Sequence, residues 1–155
     1  MNKVENMIEL VKAYLEEKDW KYEHMEENQA IISGVKLNCN LQSAKILIRF
    51  HEKGYLTVFV PPLVAKQEHR PVIAEYITRA NYGMVNGNFE MDYNDGEIRF
   101  KVYTSYWGLD DISDEIIEES IATPILMFER YGNGMAALLM GYSDPEIEIA
   151  KVENW

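Results

Sequence analysis

The sequence predicts an α+β fold, an antiparallel β-sheet flanked by helices in the order α-β-β-β(β)-α-β-β-α, on three observations. The first is a hairpin. Phe89, Met91 and Tyr93 alternate with Asn88, Glu90 and Asp92; Ile98, Phe100 and Val102 then alternate with Glu97, Arg99 and Lys101. Asn94-Asp95-Gly96 joins the two runs, and Asp-Gly supplies the positive φ that a tight antiparallel connection needs. The second is another pair of alternating runs around Glu52-Lys53-Gly54. The third is a set of apolar residues at helical spacing near the start, in the middle and near the end of the chain, which is the pattern of helices laid on one side of a sheet.

In chain order, Val4, Met7, Ile8, Val11, Tyr14 and Leu15 mark a helix over residues 2–17, with Glu5, Glu9, Lys12 and Glu16 on its wet face, and Asp19-Trp20 ends it. Trp20, Tyr22 and His24 predict a short strand. A second strand follows over residues 29–39 with Ile31, Ser33, Val35 and Leu37 on one face, and Gly34 predicts a bulge or a close backbone approach. Residues 44–51 and 55–60 form the next hairpin. Ile46, Ile48 and Phe50 share one face, as do Leu56, Val58 and Val60; the opposite face carries Leu47, Tyr55 and Phe59, and Pro61-Pro62 stops the strand. Val72, Ile73, Tyr76, Ile77 and Ala80 give a helix over residues 68–82, with Pro71 in its first turn and Gly83 as its cap. After the 88–102 hairpin a long helix starts at an N-cap on Asp111 or Ser113. Asp114 and Glu115 complement its dipole, Pro124 should kink it, and Gly132-Asn133-Gly134 is a possible break. A short segment, 146–155, follows Asp144-Pro145. Residues 1–155 read as one domain, with 142–155 as a C-terminal extension.

A chain of 155 residues, 47% hydrophobic and 26% charged, with ten Tyr, five Phe and three Trp, has enough apolar material to fold around a core. A formal net charge of −11 argues against a nucleic-acid partner, since phosphates repel such a surface. One cysteine, Cys39, allows neither an internal disulfide nor a cysteine-based zinc site. The start MNKVENMIEL lacks the layout of a signal peptide, and no apolar run approaches a membrane span, so a cytoplasmic location and no membrane partner are expected.

No motif carries chemistry. Asp92, Asn94, Asp95 and Gly96 suggest a calcium loop, but glycine would stand fifth and Tyr103 would take the place of the twelfth-position glutamate. His24, His51 and His69 lie in different elements. The acids from Asp110 to Glu119 suit a helix start better than a pair of catalytic carboxylates, and no glycine-rich phosphate loop or nucleophile elbow occurs. Met84, Met91, Met127, Met135 and Met140, with Tyr55, Phe59, Tyr103 and Trp107 as exposed-face candidates, could line an adaptable binding groove.

Glu75-Tyr76-Ile77-Thr78-Arg79-Ala80-Asn81-Tyr82, then Gly87-Asn88-Phe89-Glu90-Met91-Asp92, then Asp95-Gly96-Glu97-Ile98-Arg99-Phe100 form a signature that resembles the YbjN family. Its members look like type III secretion chaperones in fold and are described as sensory transduction regulators. The resemblance implies a curved antiparallel sheet with helices, often dimeric, and no cofactor. The expected function is a non-enzymatic, chaperone-like or regulatory module that holds a protein segment as a homodimer, with an acidic rim favouring basic or neutral partners. Tyr55, Phe59, Tyr103 and Trp107 are the candidate interface; no catalytic, cofactor or metal residue is assigned. Two other readings stand beside it: a small-molecule enzyme using Glu23, His24 or Asp92, and an acidic immunity protein that plugs a basic toxin.

Overall fold

The fold is that of a computed structural model, which describes residues 1–153. The main elements of the described residues are α1 (Lys3–Glu17), β1 (Glu23–Met25), β2 (Ala30–Lys36), β3 (Ser43–Phe50), β4 (Gly54–Val60), α2 (Arg70–Tyr82), β5 (Asn88–Met91), β6 (Ile98–Ser105), α3 (Asp114–Leu139) and α4 (Pro145–Val152). The strands make a six-stranded sheet in the order β1-β2-β3-β4-β6-β5, antiparallel at every pairing. The protein is α+β, as the sequence predicts.

Local chemistry sets the ends of α1. Asn2 accepts a hydrogen bond from the Glu5 amide and Glu5 returns one to Asn2, a capping box. At the other end Asp19 takes φ 57°, its amide reaches the Glu16 carbonyl, and the Trp20 amide reaches the Leu15 carbonyl at 2.8 Å. This is the Schellman closure, made here without glycine. Trp20 and Tyr22 therefore belong to the helix exit and its linker, and the first strand begins only at Glu23. It covers Ala30, Ile31 and Ile32 of β2 and leaves Ser33–Lys36 unpaired by another strand on that edge.

Helices α1, α2 and α3 lie on one face of the sheet around a single cluster that includes Met7, Val11, Ile31, Ile46, Phe50, Phe59, Ile73, Tyr76, Phe100 and Phe128. Aromatic edges meet faces at its centre: Phe89 stands 4.8 Å from Phe100 and 5.3 Å from Phe128 between ring centroids. In the 88–102 hairpin Phe89 pairs with Phe100 across the strands, and Gly96 supplies a φ of 79°. Asp92 and Asp95 spend their carboxylates on the amides of Asn94 and Glu97, closing the turn.

Several expectations change. The register of β2 with β3 passes Gly34 without interruption, and a Cβ there would meet only the Ala44 carbonyl oxygen at 3.7 Å, so there is neither a bulge nor a close approach. In β4 the phase is opposite to the one expected. Tyr55, Thr57 and Phe59 turn to the helices, opposite Phe50, Ile48 and Ile46, while Leu56, Val58 and Val60 share the other face with Leu47. Both phases of this strand are apolar, so alternation alone could not orient it; the larger aromatic side chains take the interior.

The long helix α3 is uninterrupted at Pro124 and through Gly132-Asn133-Gly134, with Ser113 as its N-cap. The two glycines are packing positions. A Cβ on Gly132 would stand 2.7 Å from Cys39 Sγ, and one on Gly134 would stand 2.4 Å from the Tyr76 hydroxyl and 3.0 Å from Glu148 Cβ. Absence of side chains there lets the 37–42 loop, α2 and α4 close on α3. Tyr76 uses that proximity to donate to the Tyr131 carbonyl at 2.8 Å. Helix α4 sits across α2 and α3, ending the described chain at Glu153; residues 154–155 of the expected extension lie outside the described residues.

Candidate functional site

Strand alternation gives the sheet a second face, and no helix of the described residues covers it. Reading across the strands, Glu23, Ile32, Leu47, Val58, Lys101 and Asn88 form one row of that face, and Arg49, Leu56 and Tyr103 form the next. Ile32, Leu47, Leu56 and Val60 are half-buried and Val58 is 7% exposed. At the end where β4 runs into Pro61-Pro62, this face hollows into a groove of about 960 Å³. Ile32, Leu47, Val58 and Val60 make its floor; Lys36, Lys45, Glu97 and Arg99 stand around it.

The charge of this face is the reverse of the chain's. Every charged strand residue points to it: Lys36, Lys45, Arg49, Arg99 and Lys101 against Glu23 and Glu90. The acids sit instead on the helices, with Glu5, Glu9, Glu16 and Glu17 in α1 and Asp114, Glu115, Glu118, Glu119 and Glu129 in α3. Glu90 bridges two of the bases, accepting from Arg99 at 2.6 Å and from Lys101 at 2.9 Å. Partial burial pushes its carboxyl up, and the hydrogen bonds from Lys101 and Arg99 outweigh that and hold it below the usual glutamate range. Lys36, Lys45 and Arg49 form no ion pair among the described residues. The expected acidic rim is thus replaced by a basic one.

The four candidate interface residues do not converge. Tyr55 and Phe59 are 0% exposed, Tyr55 sharing a 2.9 Å hydrogen bond with Ser120 of α3, and a side chain with no accessible surface presents nothing to a partner. Burial raises the Tyr55 phenol pKa and keeps it neutral. Tyr103 and Trp107 are 51% and 65% exposed, but they lie at the far end of β6 from the groove. There Tyr103 covers Gly54, and Lys53 sits 4.1 Å from the Trp107 ring centroid. Of the five methionines considered for a groove, Met135 is buried in the core, Met84, Met91 and Met127 are partly buried against it, and Met140 is largely exposed.

Groups considered for catalysis are also dispersed. Glu23 is on the open face of β1, His24 beside it turns the other way, and Asp92 closes a hairpin turn. Among the described residues no three His, Cys, Asp or Glu side chains stand close enough to hold a metal. The open face, with the groove in it, went unrecognised in the sequence because its bases are two apart in strands, as in Lys45-x-Leu47-x-Arg49 and Arg99-x-Lys101, rather than in a run. Period-2 charge in strands whose other phase is apolar was the signal.

The fold and this face together define an α+β sandwich with one layer of helices and one open side to its sheet. A profile of the family described as "Putative bacterial sensory transduction regulator" matches residues 8–137, most of the chain, and the protein belongs to that family, YbjN. The match runs from α1 nearly to the end of α3 and leaves α4 outside. No curated protein matches the chain. No helix among the described residues is long and apolar enough to cross a membrane.

Proposed function

We propose that the protein is a non-enzymatic regulatory adaptor that holds a segment of another protein on the open face of its sheet. The observation that carries this reading is the apolar floor of Ile32, Leu47, Val58 and Val60, all but Val58 half-buried, in a groove of about 960 Å³. Apolar side chains left beside water on a flat, hydrogen-bonded scaffold gain free energy when a partner covers them, about 25 cal/mol per Å². A regulator family is compatible with such a role. The dispersed positions of Glu23, His24 and Asp92 favour binding over catalysis.

A homodimer through the groove would set the bases of one copy against those of the other, so a self-association surface belongs away from the groove. Tyr103 and Trp107, exposed at the far end of β6, are the residues we assign to it. The test of the main reading is a titration of the protein with a synthetic peptide of alternating Leu and Gln, followed by backbone amide chemical shifts. Saturable shifts centred on Ile32, Leu47, Val58 and Val60 are expected, together with their loss in Leu47→Glu. Shifts scattered over the helices, or none up to millimolar peptide, would sink the idea.

A further inference from the structure

Resting on that reading, we infer that the segment held in the groove is an acidic amphipathic one, with carboxylates flanking the apolar residues that fill it. The argument is charge complementarity. The chain as a whole carries −11, yet the groove is bordered by Lys36 and Lys45, which have no partner among the described residues, and by Arg99, whose charge Glu90 shares with Lys101. Glu97 is the one acid in its lining. A basic border on an otherwise acidic molecule is a selective device. It attracts an anionic segment locally while the helical layer repels one, so such a segment lands productively only on this face.

The spacing agrees with an extended ligand. Lys45 stands two residues from Leu47 on β3, and Lys36 shares the face of Gly34 and Ile32 on the neighbouring strand, so the bases stand on the same face as the apolar floor, at its border. An extended chain laid along this face presents its apolar side chains to the floor, and carboxylates flanking them reach the ammonium groups at the border. A second copy of this protein is a poor occupant by the same rule, because its equivalent face is basic. Nucleic acid, with no apolar side chains to fill the floor, would leave Ile32, Leu47 and Val58 wet.

The experiment uses three fluorescein-labelled peptides of equal length that alternate Leu with Glu, Gln or Lys, read by anisotropy against the full chain. The Leu/Glu peptide should bind about tenfold tighter than Leu/Gln, and Leu/Lys weakest, since exposed pairs contribute up to about 1 kcal/mol each. The double variant Lys36→Glu/Lys45→Glu should reverse that order, and Leu47→Glu should abolish all three. Added salt should erase the preference for Leu/Glu while leaving Leu/Gln binding in place. Equal affinity for the three peptides would overturn the charge inference and leave the groove reading standing. Binding of Leu/Glu that survives Leu47→Glu, or no binding by any peptide, would overturn both. Tighter capture of phosphatidylserine vesicles than of Leu/Glu, lost in the double variant, would replace the protein segment with a membrane surface. Dimerisation abolished by Leu47→Glu would replace it with a second copy.

Discussion

The two faces of one sheet are built from the same strands, yet they have opposite chemistry. On the covered face Phe59, Phe89, Ile98 and Phe100 are at most 2% exposed, wrapped by α1, α2 and α3. One residue along each strand, the open face has smaller aliphatic residues at half burial and all the strand charges. The difference teaches how a domain divides its tasks: the covered face holds stability, and the open face is free to vary in chemistry because little of the fold depends on it. Substitutions that compare the faces test this division directly.

The largest expected effect is on the covered face. Phe100→Ala should destabilise by about 3–5 kcal/mol, because it empties the site between Phe89 and Phe128. Leu47→Ala on the open face should cost about 1 kcal/mol or less, since water already reaches it. Urea midpoints of the two variants read the contrast, and equal losses would break it. Next comes Gly134→Ala. The added methyl would meet the Tyr76 hydroxyl and the Glu148 side chain, so a loss of about 1–3 kcal/mol is expected despite alanine's better helix propensity. A thermal melt that rose instead would show that α4 gives way freely.

Two glutamates sharpen the comparison through pH. Glu148 on α4 is 5% exposed; the hydrogen bond from Lys151 depresses its carboxyl, burial opposes that, and Ser143 adds to the depression. Glu90 on the open face is depressed too. A carboxyl held lower in the folded state than its ordinary 4.5 adds stability that is complete above that value. This stability disappears as pH falls through the folded value. Glu148→Gln and Glu90→Gln should therefore each flatten the acid side of a stability-versus-pH curve below about pH 4.5, Glu148→Gln the more because its carboxylate is less screened. An acid limb unchanged in both variants would remove these pairs from the account. The smallest effect is Lys36→Glu/Lys45→Glu, which should move the urea midpoint by no more than about 0.5 kcal/mol of stability while it reverses peptide preference.

Much of the architecture was legible because local signals were strong. The apolar stripe from Val4 to Leu15 marked α1, Asp95-Gly96 marked the hairpin, and of the two N-cap candidates for α3, Asp111 and Ser113, Ser113 is the one used. What escaped depended on tertiary contacts. The phase of β4 is decided by Phe50, Ile48 and Ile46 across the ladder, and it buries Thr57 with its hydroxyl unpaired, against any polarity rule. Gly132 and Gly134 read as breakers because the sequence does not show Cys39, Tyr76 and Glu148 arriving beside them. The open face escaped for a related reason: its bases are far apart in the chain, and only the strand order β2-β3-β4-β6 gathers them.

The shortness of β1 has a consequence for solubility. By starting at Glu23 opposite Ile32, it leaves the Ser33–Lys36 stretch of β2 without a strand partner. The linker over residues 18–21 lies beside that stretch, the Ser33 hydroxyl donating to the Lys21 carbonyl, but it makes no ladder there, and such a margin is the kind of template on which a second chain can grow one. Gly34 offers such a chain no side chain to grip, and Lys36 would bring its ammonium close to the like charge of an incoming copy. The same lysine that borders the groove thus guards the margin against polymerisation. Exchanging it for valine would open a path to ordered aggregates at high concentration.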